Sequence, residues 1–155
     1  MFKIPKVIHL LFATLTSISL IQTANAQETT SLTVIVNGIR HQKGEICFRV
    51  FADANGFPSG DTDGVASGCT KVSGSSAKKQ FSGLKPGRYA VAVIDDQNGD
   101  YKLDTDFFGI PQEGFGISNN PRMSISSGSP SFSQASFPVI KNTQIKINMK
   151  YSLDS

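Results

Sequence analysis

Along much of the chain hydrophobic and polar residues alternate with a period of two, and no sustained helical period replaces it. Leu32, Val34 and Val36 alternate with Thr33, Ile35 and Asn37, and Ile46, Phe48 and Val50 alternate with Glu45, Cys47 and Arg49. These two runs predict the first two strands, and the intervening Gly38 to Gly44 suits a hairpin loop. Further strands are expected at Ala77 to Phe81 and at Tyr89 to Ile94, where Tyr89, Val91 and Val93 share a face. The cleanest alternation is the last: in Gln144 to Tyr151, Ile145, Ile147, Met149 and Tyr151 point one way while Lys146, Asn148 and Lys150 point the other. Shorter strands are expected near Thr70 to Val72 and Ser133 to Phe137. About seven short strands separated by Gly- and Pro-rich turns predict an all-β fold, a single antiparallel β-sandwich.

The amino terminus breaks this pattern. Lys3 and Lys6 precede an apolar run from Val7 to Ile21, and Ala24-Asn25-Ala26 supplies small residues for cleavage. Residues 1–26 read as a secretory signal peptide, which places the protein in the periplasm or outside the cell. A membrane anchor is the competing reading, but Thr14, Thr16, Ser17 and Ser19 dilute a run already short of the ~20 residues a span needs. The remaining residues, 27–155, suffice for one β-sandwich domain and not for two. Two of the fifteen basic residues belong to the leader while all twelve acidic ones follow it, so the exported chain is nearly neutral. Its basic residues are scattered, which excludes the basic patch of a nucleic-acid-binding protein. In an oxidising compartment the two cysteines, Cys47 and Cys69, are expected to pair, contributing roughly 3 kcal/mol by restricting the unfolded chain.

Candidate chemistry concentrates in Asp95 to Asp106. Asp96, Asn98, Asp100 and Asp104 fall at positions one, three, five and nine of a loop, with the Lys102 carbonyl at seven, which is how an oxygen-seeking cation such as Ca²⁺ is held. A helix–loop–helix calcium site is not expected, on two counts. Position six is Tyr101 where Gly is needed, and position twelve is Phe107 where a bidentate Glu is needed. Asp106 or Glu113 is then left to supply the missing carboxylate. The alternative is a solvated turn, because turns select the same residues. A second acidic stretch, Asp53 to Gly56 with Asp61 to Gly64, is better explained by turn formation. His41 is the lone histidine after the leader and is read as simply exposed; no Gly-x-Ser-x-Gly string is present, so nucleophilic catalysis finds little support.

The string Phe81 to Val93, with Leu84-Lys85-Pro86-Gly87-Arg88-Tyr89 at its centre, sends a turn directly into a strand whose Tyr enters the core. It resembles strings of prealbumin-like and carboxypeptidase-regulatory-type sandwiches, within the broader immunoglobulin-like architecture. Extended through Tyr89 to Asn98, Phe108 to Asn120 and the final Ile145 to Tyr151, the pattern resembles the bacterial family called domain of unknown function 2141, from about Leu32 to Tyr151. The resemblance implies an exported β-sandwich without an established activity. In the Phe108 to Asn120 block, Gly109, Gly114 and Gly116 allow a tight path, Phe107, Phe108 and Phe115 can bury as a cap, and Glu113 with Ser118-Asn119-Asn120 can join the acidic loop. The resulting expectation is a non-catalytic module that binds Ca²⁺ in the acidic loop and a protein or glycan of the envelope through adjacent loops. The alternative is a small hydrolase acting on envelope or extracellular glycan, with Asp96, Asp104 or Glu113 as acid and base.

Overall fold

The computed structural model describes residues 28–59 and 64–154, so the expected signal peptide and Asp61 to Asp63 lie outside the described residues. Eight strands and one helical turn follow in the order β1 (Thr30–Asn37), β2 (Glu45–Phe51), β3 (Ala66–Lys71), β4 (Ser76–Leu84), β5 (Gly87–Asp96), β6 (Gly114–Ile117), α1 (Phe132–Ala135), β7 (Phe137–Val139) and β8 (Thr143–Asn148). A smaller sheet has the order β4-β1-β8, and a larger one the order β3-β2-β5-β6, with β7 pairing the start of β5. The all-β expectation is met. Between the sheets lies a core of Leu32, Val34, Val36, Ile46, Phe48, Val50, Val91, Val93 and Ile147, which are the positions picked out by alternation. Tyr89 enters this core and its hydroxyl donates to the Lys85 carbonyl at 2.7 Å, closing the Pro-Gly turn.

Four local expectations are corrected. Gly38 to Gly44 is no hairpin, since β1 and β2 lie in different sheets. Both edges of β1 are occupied, by β4 antiparallel and by β8 parallel. The segment instead crosses the end of the sandwich. The β1–β8 pair is parallel, which antiparallel reasoning does not anticipate; a parallel pair needs a long crossover, and here the rest of the domain supplies it. Ser133 to Ala135 is a helical turn, because Ser131 and Gln134 form a capping box, and extended structure starts only at Phe137. Finally, Gly114–Ile117 is a strand whose alternation is hidden by glycine. A Cβ on Gly114 would meet the Tyr151 ring at 2.5 Å, and one on Gly116 would meet Ile147 at 2.6 Å. The glycines therefore let the β8 arm close over β6.

Cys47 and Cys69 form the expected disulfide, directly opposite one another on β2 and β3. No helix among the described residues is long and apolar enough to cross a membrane.

One end of the sandwich is closed by polar contacts. Asp95 continues the inward-facing series Tyr89, Val91 and Val93, and is fully buried. Its Oδ2 accepts the Tyr151 hydroxyl at 2.6 Å and lies 3.2 Å from His41 Nδ1, while Oδ1 has no partner. His41 is thus tied to a buried carboxylate and is not the free loop histidine expected from sequence. The Tyr151 oxygen also accepts the Arg40 amide at 2.8 Å, and the Arg40 guanidinium stacks over its ring. Burial, followed by the bond to Asp95, pushes the Tyr151 phenol up to about 12. A phenol raised from 10.0 stabilises the fold fully below that value and loses its contribution as pH rises through about 12. Tyr151→Phe is expected to cost about 1–3 kcal/mol in denaturant unfolding, because it strips Asp95 of its shortest bond. It should also remove a component with a midpoint near 12 from the alkaline absorbance titration of the three tyrosines. Unchanged stability in the variant would contradict this closure.

Candidate functional site

Asp96 follows Asp95 on β5 and so points to the opposite face, the outer face of the larger sheet. Its carboxylate organises the turn that leaves the strand: Oδ1 accepts the Gly99 amide at 2.7 Å and Oδ2 the Tyr101 amide at 3.0 Å. Asn98 Oδ1 accepts from the Asp100 amide and Asp100 Oδ1 from the Lys102 amide, while Asn98 Nδ2 donates to Asp104 Oδ2 at 3.0 Å. Glu113, brought in just before β6, bridges the two ends of the loop. Its Oε1 accepts the Gln97 amide at 2.9 Å and its Oε2 the Asp104 amide at 3.2 Å. Burial raises the Glu113 pKa; the two amide bonds oppose that shift, and the charges of Asp104 and Asp96 add to it.

The structure therefore brings Asp96, Asn98, Asp100, Lys102, Asp104 and Glu113 into one loop system. The side-chain oxygens of Asp96, Asn98, Asp100 and Glu113 are directed at backbone amides and Asp104 Oδ2 at the Asn98 side chain, and no three carboxylates of the loop lie within 4.8 Å of one another among the described residues. Asp106 is used elsewhere: its Oδ1 accepts the amides of Phe108 and Ile110, both at 2.9 Å, building a separate turn. Tyr101 occupies the left-handed region at φ 63°, the backbone form for which a calcium loop uses Gly at its sixth position. Two contacts hold it there, the amide to Asp96 and the carbonyl accepting Arg49 Nη2 at 2.7 Å.

Beside this loop, the outer face of the larger sheet carries a groove of about 560 Å³. Ala92, Ile94, Phe115 and Ile117 line its floor, because β5 and β6 pair in the register Ala92↔Ile117 and Ile94↔Phe115. One wall is the loop with Leu103, Phe108, Ile110 and Pro111. The other carries Met123 and Ile125, held by the carboxyl-terminal residues. Met123 and Asp154 exchange backbone and side-chain bonds at 2.7 and 2.8 Å, and Lys150 pairs with the same Asp154 carboxylate. That pairing, followed by the Met123 amide, holds the Asp154 carboxyl below its ordinary value.

Two expectations about the glycine-rich block are corrected. Phe115 is buried, but Phe107 and Phe108 are 96 and 82% exposed, because the Asp106 turn projects them outward rather than over the core. Ser118, Asn119 and Asn120 do not join the acidic loop. Ser118 Oγ donates to the Ala135 carbonyl, Asn119 binds the Gln134 and Ser136 carbonyls, and Asn120 Oδ1 accepts the Asn148 amide, so all three tie α1 and β8 to the sheet. The groove itself was not anticipated. The available signal was the even-numbered series Ala90, Ala92 and Ile94, apolar on a face that a simple sandwich would leave to water.

No curated protein and no solved structure matches the chain. The family model described as "Uncharacterized protein conserved in bacteria (DUF2141)" matches residues 34–148, a span that runs from β1 to the end of β8 and includes the acidic loop and every groove-lining residue except Leu153. The chain belongs to this bacterial DUF2141 family.

Proposed function

We propose that the protein is an exported, non-catalytic binding module that takes an apolar segment of an envelope or extracellular protein into the groove on its larger sheet. The observation that carries this reading is the groove itself, whose volume falls in the range of ligand sites and whose floor is apolar. The exposed Phe107 and Phe108 rings extend the apolar surface at its rim, a composition typical of binding surfaces. Export is supported by the amino-terminal leader pattern and by the disulfide. The non-catalytic reading is supported by Asp96 and Glu113, each of which gives both carboxylate oxygens to backbone amides. A glycan hydrolase needs its two carboxyl groups facing a shared cleft.

Ca²⁺ is the ion proposed for the acidic loop. Support comes from the left-handed Tyr101 and from Glu113, which reaches both ends of the loop from downstream as a twelfth-position glutamate would. Binding requires Asp96, Asn98 and Asp100 to turn from their backbone-amide partners, and Asp104 from the Asn98 side chain, toward a common centre with the Lys102 carbonyl, with Glu113 completing the set.

The anionic naphthalene dye ANS is expected to bind the native protein saturably. Ala92→Phe, which fills the floor from the outer face, should weaken that binding about tenfold or more, about 1.4 kcal/mol, without lowering the unfolding midpoint. Equal dye affinity in the variant would overturn the groove as the binding site. For the loop, Ca²⁺ at a hundredfold excess over its Kd should stabilise the fold by about 2.7 kcal/mol relative to EDTA. The gain should vanish in Asp104→Asn, whereas a flat response of the parent protein would leave the loop as a turn held by its own amides.

A further inference from the structure

The Cys47–Cys69 bridge sits among other metal-type donors. Glu45 precedes Cys47 by two residues on β2, so the strand period places both on one face. Cys69 is the residue directly opposite Cys47 on β3. The Glu45 carboxylate oxygen and the two sulfurs lie within 4.8 Å of one another, and no other three His, Cys, Asp or Glu donors are so gathered among the described residues. Asp96, the partner of Glu45 across the β2–β5 ladder, brings Oδ2 to 3.8 Å from Cys47 Sγ. Glu45, Cys47 and Cys69 line an open cleft of about 370 Å³ that is also bordered by Arg49, Ser67, Gly68 and Tyr101.

We propose that reduction of this bridge creates a site for a thiophilic divalent cation of the Zn²⁺ class, with Cys47, Cys69 and Glu45 as ligands and water in the fourth position. A dithiol reductant delivers two electrons and two protons to the disulfide. The S–S bond breaks, two thiols form, and the reductant leaves as its own disulfide. The cation then forms two metal–sulfur bonds, the two thiol protons pass to solvent, and the Glu45 carboxylate supplies the third bond. Two sulfurs at ~2.3 Å from a tetrahedral Zn²⁺ stand roughly 3.8 Å apart, a separation reached by side-chain rotation once the covalent bond is gone.

The backbone is already arranged for this. The β2–β3 ladder runs from Glu45↔Lys71 to Val50↔Ala66, so backbone pairing on either side of the bridge also sets the two cysteines opposite one another. β3 is the edge strand of its sheet and takes its ladder from β2 alone among the described residues. A metal crosslink would hold β3 to β2 under reducing conditions, as the disulfide does under oxidising ones. The set differs in chemistry from the acidic loop, because thiolates select Zn²⁺-class ions whereas carboxylate and carbonyl oxygens select Ca²⁺.

The test is anaerobic titration of the purified protein with Cd²⁺, followed by its thiolate-to-metal charge-transfer absorption, before and after reduction by dithiothreitol and its removal by gel filtration. Circular dichroism is recorded in parallel. The thiolate band should saturate at one Cd²⁺ per monomer in the reduced protein and be absent from the oxidised one, whatever Cd²⁺ the oxygen ligands of the acidic loop take up. Zn²⁺ should displace it, and Glu45→Gln should weaken binding about tenfold or more. Cys69→Ser should lose the two-thiolate band. Absence of the band in the reduced protein would overturn the proposal, as would equal affinity in Glu45→Gln. Loss of the β-sheet signal on reduction would do so too, since the site would not then be preformed.

Discussion

At the end of β5 two carboxylates, Asp95 and Asp96, stand side by side, and the period of a strand sends them to opposite faces of the sheet. On the inner face Asp95 is the one charged group in a line of core residues, and it is buried to 0% exposure. It holds the β1–β2 crossover through His41 and the carboxyl-terminal arm through Tyr151. On the outer face Asp96 holds the departing chain by two amides, fixing the direction of the loop that walls the groove. A buried carboxylate is costly unless bonded, so each arrangement is an all-or-none constraint: losing its donors would leave an uncompensated buried group. The two halves of the site share a single backbone step.

From this step the rest of the architecture follows. Tyr151 can reach Asp95 because Gly114 leaves room for its ring, and Ile147 can pack into the core because Gly116 leaves room for its branch. With the inner face of β6 covered by the β8 arm, its outer face presents Phe115 and Ile117 beside Ala92 and Ile94. This second apolar layer is partly roofed by Met123, Leu103 and Leu153, and the part left open is the groove. The larger sheet thus carries two apolar faces, one packed on the core and one partly open as the groove. Glu113 links them, since it precedes the glycine that admits Tyr151 and bonds the loop that borders the groove.

Much of the frame was legible in sequence. Alternation located β1, β2, β5 and β8, and the inward series Tyr89, Val91 and Val93 was correctly assigned, because burial against a single core imposes a period of two. Pairing was less legible. The parallel β1–β8 contact joins strands more than a hundred residues apart in the chain, and nothing local in either strand encodes it. Glycine hid β6, since an inward residue without a side chain breaks the alternation that marks a strand. The acidic loop was found as a unit, including the long-range contribution of Glu113, because Asp and Asn at alternate positions serve turns as well as metals. The direction of Phe107 and Phe108 was not legible, because it depends on the Asp106 turn that lifts both rings into solvent.

The central claim is that buried carboxylates, acting through backbone amides, already hold the loop at the groove before any ion binds. Amide hydrogen exchange in EDTA tests it most directly. Gln97, Gly99, Tyr101 and Asp104 donate to Asp96 or Glu113 in part-buried bonds and should exchange more slowly than Asp100 and Lys102, whose amides bond exposed side chains. In Asp96→Asn the protection at Gly99 and Tyr101 should fall while the β2–β5 ladder stays protected. Fast exchange at all four amides in the parent protein would contradict the account.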